Sequence, residues 1–302
     1  MQMAFQLDSL RTSHPIEVPV RNALEVDQIF DHISYLKGSS VIRMLSAHLT
    51  VETFLLGVSN YLKAHKYSNA KTSDLWAALS EASGQDVNAF MDPWIKKIGF
   101  PVLTVAEEPG QIGVKQSRFL SAGDVRPEED ETTWWVPLGL KSGAQAADAK
   151  SGALTVREDT IRDVDDSFYK LNADQTGFYR TNLPPERLTK LGGQLDKLSV
   201  QDKIGLVGDA AALAVSGDAT TAGVLAFLEG FEDEQNYLYV DVCFMRWAPL
   251  TIQQGLVRGS LKLGQHPQHL LRRQGSIRRT SSVHVEACWC GYRQDRLGIC
   301  AS

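Results

Sequence analysis

The sequence predicts a multidomain α+β chain: a helical first part, then a β-sandwich, then the start of an α-solenoid, and last an unstructured tail. Three observations lead there. Apolar residues recur at a helical period from residue 40, switch to a period of two after Pro101, and return to a helical period after Pro184-Pro185. Residues 1–245 carry 22 Lys and Arg against 34 Asp and Glu, a net charge of −12, whereas residues 246–302 carry 9 against 2, a net of +7. All four cysteines (Cys243, Cys288, Cys290 and Cys300) lie beyond residue 242, in the part without a sustained period. A chain of 302 residues holds two or three domains and buries an ordinary core. It contains no apolar run of the length that crosses a membrane. The opening residues M-Q-M-A-F lack the basic start and apolar middle of a secretory leader, so the cytoplasm is the expected location and no membrane partner is expected.

Residues 1–25 read as loop and short extended pieces, because His14-Pro15 and Val18-Pro19 bias the residues before each proline away from helix. His14 stands at no ligand spacing from a carboxylate or a second histidine and reads as a polar loop residue. From residue 40 to Gly84 the pattern is helical, through Ile42, Leu45 and Leu49, then Phe54, Leu55, Val58, Tyr61 and Leu62. Thr72 or Ser73 is the expected N-cap of a further helix through Leu75, Trp76 and Leu79. Val87, Phe90, Met91, Trp94 and Ile95 form the next stripe, with Pro93 inside it as a kink or as the first turn of a new helix. This aromatic stripe reads as core.

Strands are predicted over residues 102–105, 112–120, 133–140, 153–156, 168–171 and 178–181, separated by turn clusters such as Glu107-Glu108-Pro109-Gly110 and Lys141-Ser142-Gly143. Short strands without intervening helices argue for a β-sandwich. The acidic run P-E-E-D-E at residues 127–131 reads as a solvated hairpin tip. Leu188, Leu191, Leu195 and Leu198 then line a helical face, and helices are predicted over residues 201–215 and 220–231, with breaks at Ser216-Gly217 and Gly230. Successive short helices suggest the first turns of a solenoid.

One stretch carries more information than period alone. Residues 30–45, F-D-H-I-S-Y-L-K-G-S-S-V-I-R-M-L, closely resemble the tyrosine-bearing segment of the zinc-dependent aminopeptidases, the group of alanyl, glutamyl and puromycin-sensitive enzymes. Further segments resemble the same family: L-D-S-L-R-T-S-H-P-I-E-V-P-V at residues 7–20, W-I-K-K-I-G-F-P-V-L-T-V at 94–105, K-L-N-A-D-Q-T-G-F-Y-R-T-N at 170–182, and D-K-I-G-L-V-G-D-A-A-A-L-A at 202–214. The resemblance covers roughly residues 5–240. It implies that residues 1–99 are the helical C-terminal part of a thermolysin-like catalytic domain, 100–183 a β-sandwich domain, and 184–240 the start of a C-terminal helical domain.

The resemblance also implies a site residue. The family removes single residues from peptide N-termini with one zinc and a glutamate base, and its I-S-Y-x-K-G tyrosine donates to the scissile carbonyl oxygen as that oxygen becomes an oxyanion. Tyr35 stands at that position. A phenol is neutral at pH 7 and donates well to an oxyanion. None of the seven histidines is followed by Glu, so the chain contains no H-E-x-x-H, and the family's G-A-M-E-N motif is absent as well. Zinc therefore belongs to the complete family member, and none is expected on this chain. The chain alone is expected to be inactive, a fragment of the complete enzyme; the alternative is a non-catalytic interaction module or a decoy. Peptides are the expected substrates of the complete enzyme, and the oligomeric state is not legible.

Residues 241–302 are expected to be an aberrant, disordered tail, as a frameshift or a retained intron would produce. Residues 262–273 can be written in codons that, read one nucleotide along, give S-L-G-N-I-R-S-I-F-S-D, similar to the family's next helix. A zinc set of His284, Cys288, Cys290 and Cys300 is disfavoured, since Cys-x-Cys is tighter than the usual spacing. A nucleic-acid surface from Arg272-Arg273, Arg278-Arg279, Trp289 and Tyr292 lacks any module signature, and no nucleic-acid partner is expected.

Overall fold

The computed structural model describes residues 1–20, 22, 30–143 and 152–231, in a mixed arrangement of helices and small sheets. The readings of the tail, including the His284 and cysteine set and the paired arginines, lie outside the described residues.

The start of the chain corrects part of the reading of residues 1–25 as loop. Gln2–Asp8 forms α1, with Ala4, Phe5 and Asp8 buried. Seven residues are too few for a stable isolated helix. Burial supplies the difference, since the Phe5 ring stacks on Phe178 at 4.5 Å and meets Phe100 at 4.6 Å.

A π-helical turn, Ile33–Lys37, runs directly into α2, Gly38–Leu49. Helix α2 buries Ser40, Val41, Met44, Leu45 and Leu49. At Thr50 the path breaks by 114° into α3, Val51–Ala64. Thr50 has φ 69° and ψ 150°, a region that β-branched residues rarely enter. Helix α4, Thr72–Ser83, is capped by Lys71 and not by Thr72 or Ser73 as expected; the Asp74 carboxylate accepts from the Lys71 amide at 2.7 Å. Gly84 closes it in the left-handed conformation. Gly57 lets α3 approach α4, because a Cβ there would lie 3.0 Å from the Leu79 Cα. Helix α5, Val87–Lys96, keeps Pro93 inside a single helix and buries Val87, Met91, Trp94 and Ile95.

The period of two after Pro101 gives the hairpin β1 (Pro101–Glu108) and β2 (Gln111–Arg118), joined by Pro109-Gly110 and paired from Pro101↔Arg118 to Glu108↔Gln111. Two short ladders follow, β3 (Val136–Pro137) with β5 (Ala153–Leu154), and β4 (Lys141–Ser142) with β7 (Tyr169–Lys170). Strand β6, Glu158–Arg162, pairs with β2, and β8, Arg180–Asn182, lies parallel to β1, giving the sheet order β6-β2-β1-β8.

The expected strand over residues 133–140 is reduced to β3. The buried Gln116 amide takes the place of a neighbouring strand there: its Oε1 accepts from the Trp134 amide at 2.8 Å and its Nε2 donates to the Trp134 carbonyl at 2.9 Å. The acidic run at 127–131 is likewise not a free hairpin tip. Glu129 accepts from Arg11 at 2.7 Å and Arg126 at 3.1 Å, and Asp130 holds Arg157 at 3.1 Å.

Helix α6, Pro185–Gly192, ends before Leu195, which lies in a separate short turn; Gly192-Gly193 stops the expected leucine face. Helix α7, Val200–Ser216, opens on a capping box between Ser199 and Asp202. Helix α8 is Thr221–Glu229.

Two buried ion pairs join α7 to the sheet segment. Lys170 Nζ lies 3.0 Å from Asp202, and Arg180 Nη1 lies 2.9 Å from Asp209. Asp209 also accepts from the Thr181 amide at 3.0 Å and hydroxyl at 3.1 Å, while the Arg180 guanidinium covers the Phe5 ring at 4.5 Å. Burial pushes the Asp209 carboxyl up and the Arg180 guanidinium down from their ordinary values, so dehydration outweighs attraction in this pair. Such a pair fixes position more than it adds stability, and half of it cannot be removed cheaply.

Two outcomes follow. Asp209→Leu leaves Arg180 buried and uncompensated, and should lower the unfolding free energy by about 3–5 kcal/mol in a denaturant titration. Thr50→Gly should raise stability by about 1 kcal/mol, since glycine enters this conformation freely and the cap it gives up, Thr53 N to Thr50 Oγ1, is long at 3.4 Å; a lowered thermal midpoint would show the Thr50 conformation to be unstrained.

Candidate functional site

The site is built on the turn that carries Tyr35. Asp31 starts it: Oδ1 accepts from the amides of Ile33 at 2.9 Å and Ser34 at 3.0 Å, and its main-chain oxygen accepts from the Tyr35 amide at 3.1 Å. The Gly38 amide then reaches back five residues to the Ile33 carbonyl, which makes the turn π-helical. The Ser39 and Ser40 hydroxyls donate to the Leu36 carbonyl at 3.2 and 2.6 Å, where π geometry gives way to α2.

Inside this turn Ile33 and Lys37 point into the core and Tyr35 points out. Tyr35 is 59% exposed, and its ring lies 5.9 Å from that of the equally exposed Phe30. Among the described residues the phenol hydroxyl has no hydrogen-bond partner.

Lys37 anchors the turn from below. Its ammonium is fully buried, 2.9 Å from the equally buried Asp8 carboxylate, and donates to the Gly99 carbonyl at 3.0 Å. Asp8 Oδ1 accepts from the Gly99 amide at 3.0 Å and from the Ser13 hydroxyl at 2.9 Å. Burial pulls the Lys37 ammonium below its ordinary value, and the Asp8 charge opposes that shift. Three segments far apart in sequence thus meet at one ion pair: the end of α1, the tyrosine turn, and the glycine before β1.

A second charged contact lies at the head of the turn, where the sequence predicted only a polar loop residue. His14 Nε2 lies 2.7 Å from Asp31 Oδ2, and its Nδ1 lies 2.8 Å from the Pro15 carbonyl oxygen. Asp31 lies seventeen positions after His14, too far for any local spacing rule to find the pair. The two side chains are 32% and 27% exposed.

Among the described residues, no group of three or more His, Cys, Asp or Glu side chains is placed to hold a metal ion. Both ring nitrogens of His14 face acceptors, which leaves no lone pair for a metal, and His48 is engaged by Gln85 at 2.9 Å. The described residues therefore do not fit a zinc site, and what the arrangement can offer chemically is an exposed phenol on a rigid base.

The His14–Asp31 pair sets a pH window. Burial works against charge on both groups, but the Pro15 and Asp31 contacts raise His14 above its ordinary value, and the Ser34 amide and His14 lower Asp31 below its own. A raised histidine stabilises fully below its unfolded value of about 6.5 and ceases to do so as pH rises through its folded value. A lowered aspartate stabilises above its unfolded value of about 3.9 and ceases to do so as pH falls through its folded value. The pair should thus contribute most between about pH 4 and about pH 6.5. In His14→Gln the fall in stability on going from that window to higher pH should be smaller than in the unchanged chain, as read from urea midpoints.

Comparison with known proteins finds sequences similar to the segment that carries this turn. Residues 1–94 match the Peptidase family M1 domain, and residues 168–251 match the ERAP1-like C-terminal domain. The second match runs past residue 240, where the sequence reading ends the helical domain. The chain is 49% identical over 265 residues to Aminopeptidase 2 of Candida albicans, covering 86% of this chain and 28% of that protein. It is 47% identical over 238 residues to the Alanine/arginine aminopeptidase of Saccharomyces cerevisiae (79% and 28%), and 39% identical over 249 residues to Aminopeptidase M1 of Arabidopsis thaliana (77% and 28%). The chain thus spans little more than a quarter of the length of these curated relatives. Over the residues that match, it is a homologue of the M1 aminopeptidases.

Proposed function

We propose that this chain is a segment of a metallo-aminopeptidase in which Tyr35 donates its phenolic hydrogen to the carbonyl oxygen of a scissile peptide as negative charge develops there. The observation that carries this reading is the placement of Tyr35: exposed, at the start of a helix, on a π-helical turn held from within by the Lys37–Asp8 pair. π-Helical turns recur at functional sites, and a donor held before the reaction needs no reorganisation when charge appears. We read residues 1–99 as the helical C-terminal part of a thermolysin-like domain, 100–183 as a β-sandwich and 184–240 as the start of a helical domain; the sheet β6-β2-β1-β8 with its two small ladders, and the helices from α6 onward, support that division. Peptides with a free N-terminus are the proposed substrates of the whole enzyme.

The chain by itself is proposed to be inactive. A single oxyanion donor cannot generate a nucleophile, and the sequence holds neither H-E-x-x-H nor the amine-gripping G-A-M-E-N motif. A second reading, as an interaction module, is favoured by one feature. Val51, Leu55, Leu56 and Leu62 of α3 are each more than half exposed, an apolar stripe beyond what a surface helix needs.

The test has two arms. The chain alone, supplied with zinc, should hydrolyse no aminoacyl arylamide. Co-expressed with a segment of a complete family member that supplies H-E-x-x-H, it should turn over, and Tyr35→Phe should then lower kcat by about 10²–10³-fold with little change in KM. Zinc-dependent turnover by the chain alone would overturn the inactivity, and an unaffected kcat in Tyr35→Phe would overturn the role of the phenol.

A further inference from the structure

His14 takes no part in the chemistry proposed above, yet its surroundings suit a charged ring. Nδ1 lies 2.8 Å from the Pro15 carbonyl oxygen and Nε2 lies 2.7 Å from Asp31 Oδ2. Both neighbours are acceptors. A neutral imidazole has one N–H, so only the imidazolium satisfies both at once. The charged groups that face the ring are Asp31 from the tyrosine segment and, farther off, Asp8 from α1, whose own charge is paired with Lys37.

Asp31 divides its two oxygens between this ring and the turn. Oδ2 meets His14, and Oδ1 accepts from the amides of Ile33 and Ser34, the two residues before Tyr35. The loop that carries His14 is fixed on both sides. Ser13 donates to Asp8 at 2.9 Å, the Glu17 amide donates to the Ile95 carbonyl at 2.9 Å, and Arg11 is held by Glu129 at 2.7 Å. A ring so anchored can hold Asp31 in place and not merely follow it.

We propose that His14 is a positioning residue for Tyr35: in its protonated form it holds Asp31 against the Ile33 and Ser34 amides, and so sets the direction in which the phenol leaves the surface. The proposal rests on the reading of Tyr35 as an oxyanion donor. Loss of the proton leaves one N–H for two acceptors, so either the Pro15 or the Asp31 contact is given up. When the Asp31 contact goes, the carboxylate is free to turn and the head of the turn loosens. The aim of Tyr35 then follows the protonation of a histidine that touches Asp31 and not the tyrosine itself.

The experiment is a carbon-13 NMR titration of the full chain, labelled at the histidine Cε1 and tyrosine Cε positions, from about pH 5 to about pH 9, the range in which histidine changes charge. His14→Gln and Tyr35→Phe assign the two signals. The His14 midpoint should lie above the ordinary 6.5, and the Tyr35 ring signal should move with the same midpoint. Asp31→Asn should lower the His14 midpoint by about one to two pH units and abolish the Tyr35 response. Because Asp31→Asn also weakens the cap of the turn, two variants that leave Asp31 in place carry the decision. In His14→Lys, a cation at every pH of the titration, the Tyr35 signal should stay near its low-pH position throughout; in His14→Gln it should be flat with pH. A Tyr35 signal that stands still while His14 titrates, or that keeps the same midpoint in His14→Gln, overturns the proposal. If the coupling is found but Tyr35→Phe leaves kcat of the co-expressed enzyme unchanged, the positioning stands and the oxyanion reading falls, so the two failures are distinct.

Discussion

The buried ion pair between Lys37 and Asp8 is the constraint on which the candidate site depends. An ammonium and a carboxylate shielded from water would each cost several kcal/mol alone, and here they are compensated by one another and by the Gly99 main chain, which supplies both an acceptor to Lys37 and a donor to Asp8. The geometry leaves little freedom. Lys37 must point inward for its ammonium to reach Asp8, and on a π-helical turn that direction places Tyr35, two residues earlier, on the open face. The motif I-S-Y-L-K-G therefore has an inner half and an outer half: the lysine holds, and the tyrosine is presented.

The same logic recurs at the junction of the sheet segment with α7. Lys170–Asp202 and Arg180–Asp209 cross between two segments singled out by resemblance, residues 170–182 and 202–214. Asp202 does more than pair with Lys170: it closes the capping box with Ser199 and accepts from the Asp174 amide at 2.7 Å. That last contact helps to hold a tight turn in which Asn172, Asp174 and Gln175 all have positive φ. Arg43 of α2 clamps the turn from the other side, through the Asp174 and Gln175 carbonyls at 3.0 and 2.8 Å. One helix thus carries the tyrosine turn at its start and this clamp at its middle, while Arg180 covers the Phe5, Phe100 and Phe119 rings.

Much of this was legible from residues alone, and the reasons differ by element. Helices α2, α4 and α5 were found because their buried faces are written in local period, as with Val87, Met91, Trp94 and Ile95; α3 carries the same period, yet Leu55 and Leu62 of its stripe are left exposed. The hairpin β1–β2 was found because Pro109-Gly110 marks the turn and the flanks alternate. Helix α1 was missed, since its length is marginal and its burial against Phe178 and Phe100 comes from residues some hundred or more positions away. The strand over residues 133–140 was over-read, because alternation does not reveal that the Gln116 side chain replaces a neighbouring strand at Trp134.

For the site itself, the sequence alone singled out Tyr35 as the candidate, since a run such as I-S-Y-L-K-G is distinctive as letters, and it determined that H-E-x-x-H is absent. What only the tertiary structure decided is how that tyrosine is held. Asp8, His14, Asp31, Lys37 and Gly99 are spread over some ninety positions, and their contacts are charge–charge and main-chain contacts with no period or spacing to betray them. Local period records which face of a segment is buried; it does not record which distant charge waits there. That choice is made when the segments pack, because a buried charge must find its opposite within hydrogen-bond reach or be expelled to water.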